Sequence, residues 1–281
     1  MLRTQSGLRL LGPSDLPAMS QLVARDPVVN VFVDYRSRIT RLDPRWMGGE
    51  MWGWFEDGEL VSACHAAANL VPVSATPAAT EAFAARAVRQ GRRCSTIVGP
   101  AGEVAALWDL LEPHWDKPRE LRWRQPHLEI ARLSPLAPDP WVRRSRPEDL
   151  DLLYPACVAM YTEEVGVSPE LGGGADMYRA RVAQLVSKGW SFVRIEDGKV
   201  LFKAEVAAVS PHACQVQGVY VDPDRRGEGL ATAGMAAVVD VALREIAPVV
   251  SLYVNDHNLP ARAAYDTVGF RQTGVFATVM F

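Results

Sequence analysis

The sequence predicts an α/β protein made of two similar halves. Three observations carry that prediction. A β-branched and aromatic run, Val219-Tyr220-Val221, ends at Asp222-Pro223 and passes through a glycine-spaced basic loop into an apolar helical pattern from Leu230 to Ala242. Prolines crowd the aperiodic stretch 134–140, which reads as a linker. The same order of strand, helix-start and hairpin signals recurs on both sides of that linker. The expected organisation is a first domain at 1–133 and a second at 141–281.

The totals fit this picture. The chain has 281 residues, 48% hydrophobic and 22% charged, which are globular values and enough for a sizeable core. A net charge of −3 gives no reason to expect nucleic acid. The N-terminal stretch MLRTQSGLRLLGPSD lacks the apolar segment of a secretory signal. The run Val238–Val254 is broken by Asp240, Arg244, Glu245 and Pro248, so no membrane span is expected. Cys64, Cys94, Cys157 and Cys214 are dispersed, without a C-x-x-C pair. They read as reduced core residues of a cytoplasmic protein, and no metal is expected.

Taken in order, each half opens with a short strand and a proline- and acid-led helix start. Leu8-Arg9 and Pro13-Ser14-Asp15-Leu16 match Val142-Arg143 and Pro147-Glu148-Asp149-Leu150. Next comes a hairpin with an Asp-Gly turn between apolar runs, at Asp57-Gly58 and again at Asp197-Gly198. Further on, Val104…Trp108-Asp109 can be laid on Ala261…Tyr265-Asp266. In the second half the patterns predict strands at about 141–145, 190–196, 199–209, 213–221, 249–254 and 270–280, and helices at about 147–164, 175–188, 229–245 and 259–267. Pro147 suits a first helical turn, and Gly189 and Gly269 suit helix ends. The tryptophans of the first half (Trp46, Trp52, Trp54, Trp108, Trp115, Trp123) read as core and interface packing.

The loop at 225–229 carries the chemistry. Strand, glycines and helix start make an anion site, because glycine permits positive φ and close approach while first-turn N–H groups and the helix dipole face the ligand. A P-loop would need G-K-[ST], and a dinucleotide fold would need G-x-G-x-x-G; neither is present. The matching stretch of the first half, Leu70 to Ala79, has no Arg and no Gly, so it cannot clasp a pyrophosphate in the same way.

Arg226-Gly227-Glu228-Gly229-Leu230-Ala231 fits the R/Q-x-x-G-x-G/A loop of the GNAT acetyltransferases, and the second half resembles that family. Leu252-Tyr253-Val254-Asn255, then Asn258, Ala261, Tyr265 and Gly269-Phe270, match its second signature. The resemblance covers about residues 141–281. It implies two GNAT-like lobes, each a mixed, mostly antiparallel central sheet flanked by helices, with a degenerate first lobe. It also implies acetyl-CoA as cosubstrate. Arg226 and the N–H groups of Gly227, Glu228, Gly229, Leu230, Ala231 and Thr232 would hold the pyrophosphate. Val219, Tyr220 and Val221 would pair with the pantetheine arm as a peptide adds to a strand edge, and the Val219 N–H would stabilise the oxyanion. Asn258, with Ala261 and Arg262 beside it, would bind the same arm. Tyr265, about two helical turns on, would act as general acid toward the thiolate.

The acceptor is less legible. An amine with a pKa near ~10.4 must lose a proton before it attacks. Glu205 is the candidate base; Lys203 lies on the same strand face, a spacing that also fits a surface ion pair. Glu163 and Glu164 would suit a cationic amine, but a solvated helix end is the favoured reading. Gly172-Gly173-Gly174 reads as a mobile lid, and the chain end at Phe281 would bring a carboxylate near the site. The expected activity is N-acetyl transfer to a primary amine of a small molecule, peptide or protein, by direct attack in a ternary complex. The alternatives are a non-catalytic acyl-CoA sensor and a tandem enzyme of thiol metabolism.

Overall fold

A computed structural model describes residues 6–281. The reading of the leader concerns a stretch whose first five residues lie outside those described. In chain order the elements are β1 (Gly7–Leu10), α1 (Leu16–Val23), α2 (Val31–Thr40), α3 (Pro44–Met47), β2 (Glu50–Glu56), β3 (Glu59–Ala66), β4 (Asn69–Val73), α4 (Pro77–Gln90), β5 (Thr96–Pro100), α5 (Ala101–Leu111) and β6 (Glu120–Ile130). There follow β7 (Arg143–Arg144), α6 (Leu150–Val165), α7 (Ala175–Ser187), β8 (Ser191–Glu196), β9 (Lys199–Val209), β10 (Cys214–Val221), α8 (Leu230–Glu245), β11 (Val250–Tyr253), α9 (Leu259–Val268) and β12 (Arg271–Met280).

The chain forms two compact units that are not contiguous in sequence. The first holds the chain up to His127 together with Tyr253–Asp256 and Gln272–Phe281; the second holds Leu128–Leu252 and His257–Arg271. Each unit builds its sheet by the same rule. In the first, β1/β2, β2/β3 and β3/β4 are antiparallel and β4/β5 is parallel. In the second, β7/β8, β8/β9 and β9/β10 are antiparallel and β10/β11 is parallel.

The repetition extends to single residues. Arg9 grips Asp15 with two hydrogen bonds of 2.8 and 2.7 Å, and Arg143 grips Asp149 with two of 2.6 and 2.9 Å. Each aspartate also accepts a backbone N–H at the helix start, from Gly12 and from Arg146. Both hairpins turn through an Asp-Gly pair at positive φ, Asp57 and Gly58 in one and Asp197 and Gly198 in the other, the geometry that suits the twist of paired strands. Both carry a register shift three residues before that turn, at Trp54/Phe55 and at Arg194/Ile195.

The cores differ in their source. Phe83, Ile97, Val104, Leu107 and Trp108 pack with Ala277 and Val279 of β12 in the first unit. Pairs such as Ala277↔Gly99 and Val279↔Ile97 join β12 to β5 there. Phe281 packs on Trp108 and Trp115 of the first unit, under the guanidinium of Arg92. Its aromatic side chain fits that apolar pocket, which local sequence could not reveal. In the second unit Leu153, Cys157, Val182, Val186, Val193 and Val200 form a core between α6, α7 and the sheet. All four cysteines are buried and unpaired. Trp52 and Trp108 are core residues as expected, whereas Trp46 (73% exposed) and Trp123 (38% exposed) are not.

Candidate active site

The site is built on β10, where the second unit departs from the first. On one side, Gln217 faces Glu205 and Tyr220 faces Lys203, so Gly218 and Val219 together span one residue of β9. This is a bulge, and it needs glycine: Gly218 has φ +61°. A Cβ there would come within 3.1 Å of Glu205 Oε2, 3.2 Å of Lys203 Nζ and 3.2 Å of Met160 Cε. On the other side, β10 pairs with β11 only at Cys214↔Val250 and Gln215↔Ser251. Beyond these pairs β11 does not pair with Gly218 to Val221 among the described residues, and the Val221 carbonyl accepts from Arg226 Nε at 3.4 Å. The matching pair in the first unit also holds for two residues, Asn69↔Thr96 and Leu70↔Ile97. There, however, β3 and β4 pair without a bulge, and Pro72 has no N–H to offer a ligand.

β10 runs directly into the glycine loop. Asp222 turns the chain by accepting the Asp224 N–H, and Lys199 pairs with both aspartates at 2.8 and 3.0 Å. Gly227 and Gly229 sit at φ +84° and +80°. Gly229 heads α8 without a side-chain cap, and no N–H from Gly227 to Thr232 has an acceptor among the described residues. Six N–H groups at the head of a 16-residue helix therefore face the loop. Leu230 is buried, so it anchors the helix and offers only its backbone. Inside α8, Gly234 lets the helix close on Phe202, whose ring would lie 2.8 Å from any Cβ. Arg225 is turned away onto Glu228.

Arg226 is engaged by the protein itself. Its guanidinium forms a bidentate pair with Glu163 near the end of α6, at 3.0 and 2.7 Å. An anion bound at the loop would compete with that carboxylate. In the first unit the competition is already settled: the carboxylate of Glu103, in the first turn of α5, accepts the Ala75 N–H at 3.0 Å. Burial raises the Glu103 pKa, while hydrogen bonds from the Ala75 and Ser74 backbone oppose the rise. The Ser62 hydroxyl takes the Thr76 N–H as well. The loop that corresponds to the glycine loop thus has the N–H groups of Ala75, Thr76 and Ala79 satisfied internally.

Around the bulge, Glu205 and Lys203 are buried, at 4% and 0% exposed, which corrects the surface-pair alternative. Lys203 Nζ donates to Glu205 Oε1 at 2.7 Å, and the Cys157 thiol donates to the same oxygen at 3.4 Å. Burial pushes the Cys157 thiol up to about 12. Tyr178 on α7 donates to the Cys157 carbonyl at 3.0 Å and stacks edge-on against Tyr161. Asn258 caps α9 by accepting the Ala261 N–H at 3.2 Å, leaving its amide NH₂ as the group to offer a ligand. Ala261 and Arg262 occupy the first turn behind it. Tyr265, 6% exposed, stands on the same helix against Phe270, and burial raises its pKa. Sequence reasoning missed Gly218, Lys203 as a buried partner, and Cys157. A lone glycine inside a β-branched run was the available signal for the first, and an ionisable pair inside an apolar strand for the second.

With this geometry in view, the chain can be set against known proteins. Residues 179–270 match the acetyltransferase (GNAT) family, and residues 49–153 match a domain of unknown function, DUF4081. No curated protein matches the chain. Among solved structures it resembles a GNAT-family acetyltransferase from Colwellia psychrerythraea (14% identity, 98% and 99% of the two chains, TM-score 0.57). It also resembles a tandem GNAT protein from the clavulanic acid biosynthesis pathway (16% identity, 98% of each chain, TM-score 0.59). A third likeness is to a GCN5-related N-acetyltransferase from Sphaerobacter thermophilus (16%, 98% and 95%, TM-score 0.60). At these identities the likenesses establish the fold. The second half thus carries a GNAT acetyltransferase domain, and the protein is an acyltransferase with a divergent first half. Acetyl transfer from an acyl-CoA is the activity of that family. Among the described residues no helix is long and apolar enough to cross a membrane, and no His, Cys, Asp and Glu group is placed to hold a metal.

Proposed function

We propose that the second unit acetylates a primary amine, with acetyl-CoA along β10 and its pyrophosphate at the glycine loop. The observation that carries this reading is the Gly218 bulge, which takes Val219 out of register with β9 and sets Gly218 beside the buried Glu205 carboxylate. The loop N–H groups and Arg226 would hold the pyrophosphate once Glu163 is displaced. The unpaired edge of β10 would take up the pantetheine amides, with the Asn258 amide as a further donor. The Val219 N–H would polarise the thioester carbonyl and hold the oxyanion that forms when the amine attacks.

The proton chemistry follows from the neighbours. Both hydrogen bonds to Glu205 fall on Oε1, and Oε2 faces the bulge, where it can accept the ammonium proton. Tyr265 stays protonated at neutral pH, so it can donate a hydrogen bond to the departing thiolate. Full transfer from a phenol raised above its usual value to a thiolate of pKa ~8.5 is uphill, so its part is stabilisation ahead of protonation. The test is mass spectrometry of a primary-amine panel incubated with acetyl-CoA. Acetylated product is expected and must vanish in Glu205→Gln. Coenzyme binding without any product would favour an acyl-CoA sensor instead.

A further inference from the structure

Lys203 is fully buried on β9, between Phe202 and Ala204, in a strand whose interior is otherwise almost wholly apolar. An ammonium stripped of water costs several kcal/mol unless it is paired, and apolar residues usually fill such positions at no loss of stability. The fold itself does not require it. Counted from the Asp-Gly turns of the two hairpins, the equivalent of Lys203 in the first unit is Ala63, and that of Glu205 is His65. That unit has neither the bulge nor the glycine loop. The ion pair is thus present only where the coenzyme strand is bulged, with Lys203 Nζ and Glu205 Oε2 both within 3.2 Å of the Cβ position of Gly218.

We propose that Lys203 is a positioning residue for acetyl transfer: its ammonium anchors Glu205 Oε1 and leaves Oε2 turned toward the bulge, where the acceptor would sit. This rests on the reading of Glu205 as proton acceptor. Among the described residues the ionisable groups that face Glu205 are Lys203 from β9, Cys157 from α6 and Tyr178 from α7; β8 presents Ser191 and β10 presents Gln217 and Gly218. Burial raises the pKa of both the thiol and the phenol, so each stays neutral through the working range. For the ammonium, burial acts to lower the pKa, but the charge of Glu205 and the hydrogen bond to it outweigh it. Lys203 is therefore the cationic partner of Glu205 among these groups.

Lys203→Gln keeps a hydrogen-bond donor and removes the charge. Without it, burial drives the carboxylate toward its neutral form. The expected result, with acetyl-CoA and the most reactive amine of the panel, is an acidic limb of kcat/KM moved up by at least one pH unit. At neutral pH kcat falls at least tenfold, while coenzyme A affinity by calorimetry changes less than about twofold. Lys203→Arg should return the limb toward its original position. A limb unmoved in Lys203→Gln overturns the proposal, whereas full activity in Glu205→Gln overturns the underlying reading and not the ion-pair argument alone. Should Lys203→Gln fail to fold, the carbon-13 carboxyl signal of Glu205, assigned with Glu205→Gln, decides in the wild-type protein. It must titrate together with the acidic limb; a limb with no matching titration contradicts the assignment.

Discussion

At the scale of single residues, Gly218 decides whether the site exists. Its φ of +61° strains any side chain, and a Cβ there would press on Glu205, Lys203 and Met160 at 3.1–3.2 Å. Gly218→Ala should destabilise the protein by about 1–3 kcal/mol in thermal unfolding and lower turnover at least tenfold by shifting the Val219 N–H. Normal turnover at normal stability would show that the bulge has no part in the reaction. The shape of the glycine loop was legible because its spacing is local: Gly227 and Gly229 take positive φ and α8 starts at Leu230. The place of Asn258 at the head of α9 and of Tyr265 on that helix was legible for the same reason. Burial was not legible. Nothing in Phe202-Lys203-Ala204-Glu205-Val206 tells a surface ion pair from an interior one, because depth depends on α6 and α7, which are distant in sequence.

At the scale of elements, the strands and helices of the second half fall within about three residues of the sequence reading, since period and turn residues agree near each boundary. The duplicated helix starts are the best evidence that both units follow one plan. Asp149 has a lowered pKa, owing first to the Arg143 guanidinium; burial works against this, and the Arg146 N–H adds to it. Asp15 is lowered in the same way by Arg9. A carboxylate lowered in the folded state contributes stability that is complete above its unfolded pKa, near ~3.9, and is lost as pH falls through the folded value. Asp149→Asn should thus cost about 1 kcal/mol at neutral pH, allowing for screening at the exposed arginine. The gap from wild type in urea unfolding should close as pH falls below about 4. A gap that persists in acid would mean that packing, not charge, sets the contribution.

At the scale of the whole molecule, the fold class and duplication were legible, but the destination of the last strand was not. Hydrophobic alternation identifies 271–280 as a strand; it does not say which sheet edge receives it. The structure places β12 beside β5, with Val279 wholly buried in the first unit's core. Val279→Asp should therefore cost about 3–5 kcal/mol and remove hydrogen-exchange protection from α4 and α5. Protection lost only from β8 to β10 would assign the strand to the other unit.

The two units also differ in the fate of one loop. Glu103 fills it in the first, and Glu163 competes for Arg226 in the second. Calorimetric titration with coenzyme A tests the account most directly. The account predicts one site per chain, weakened at least 100-fold in Arg226→Glu, a loss of about 2.7 kcal/mol. Affinity unchanged in that variant would contradict it.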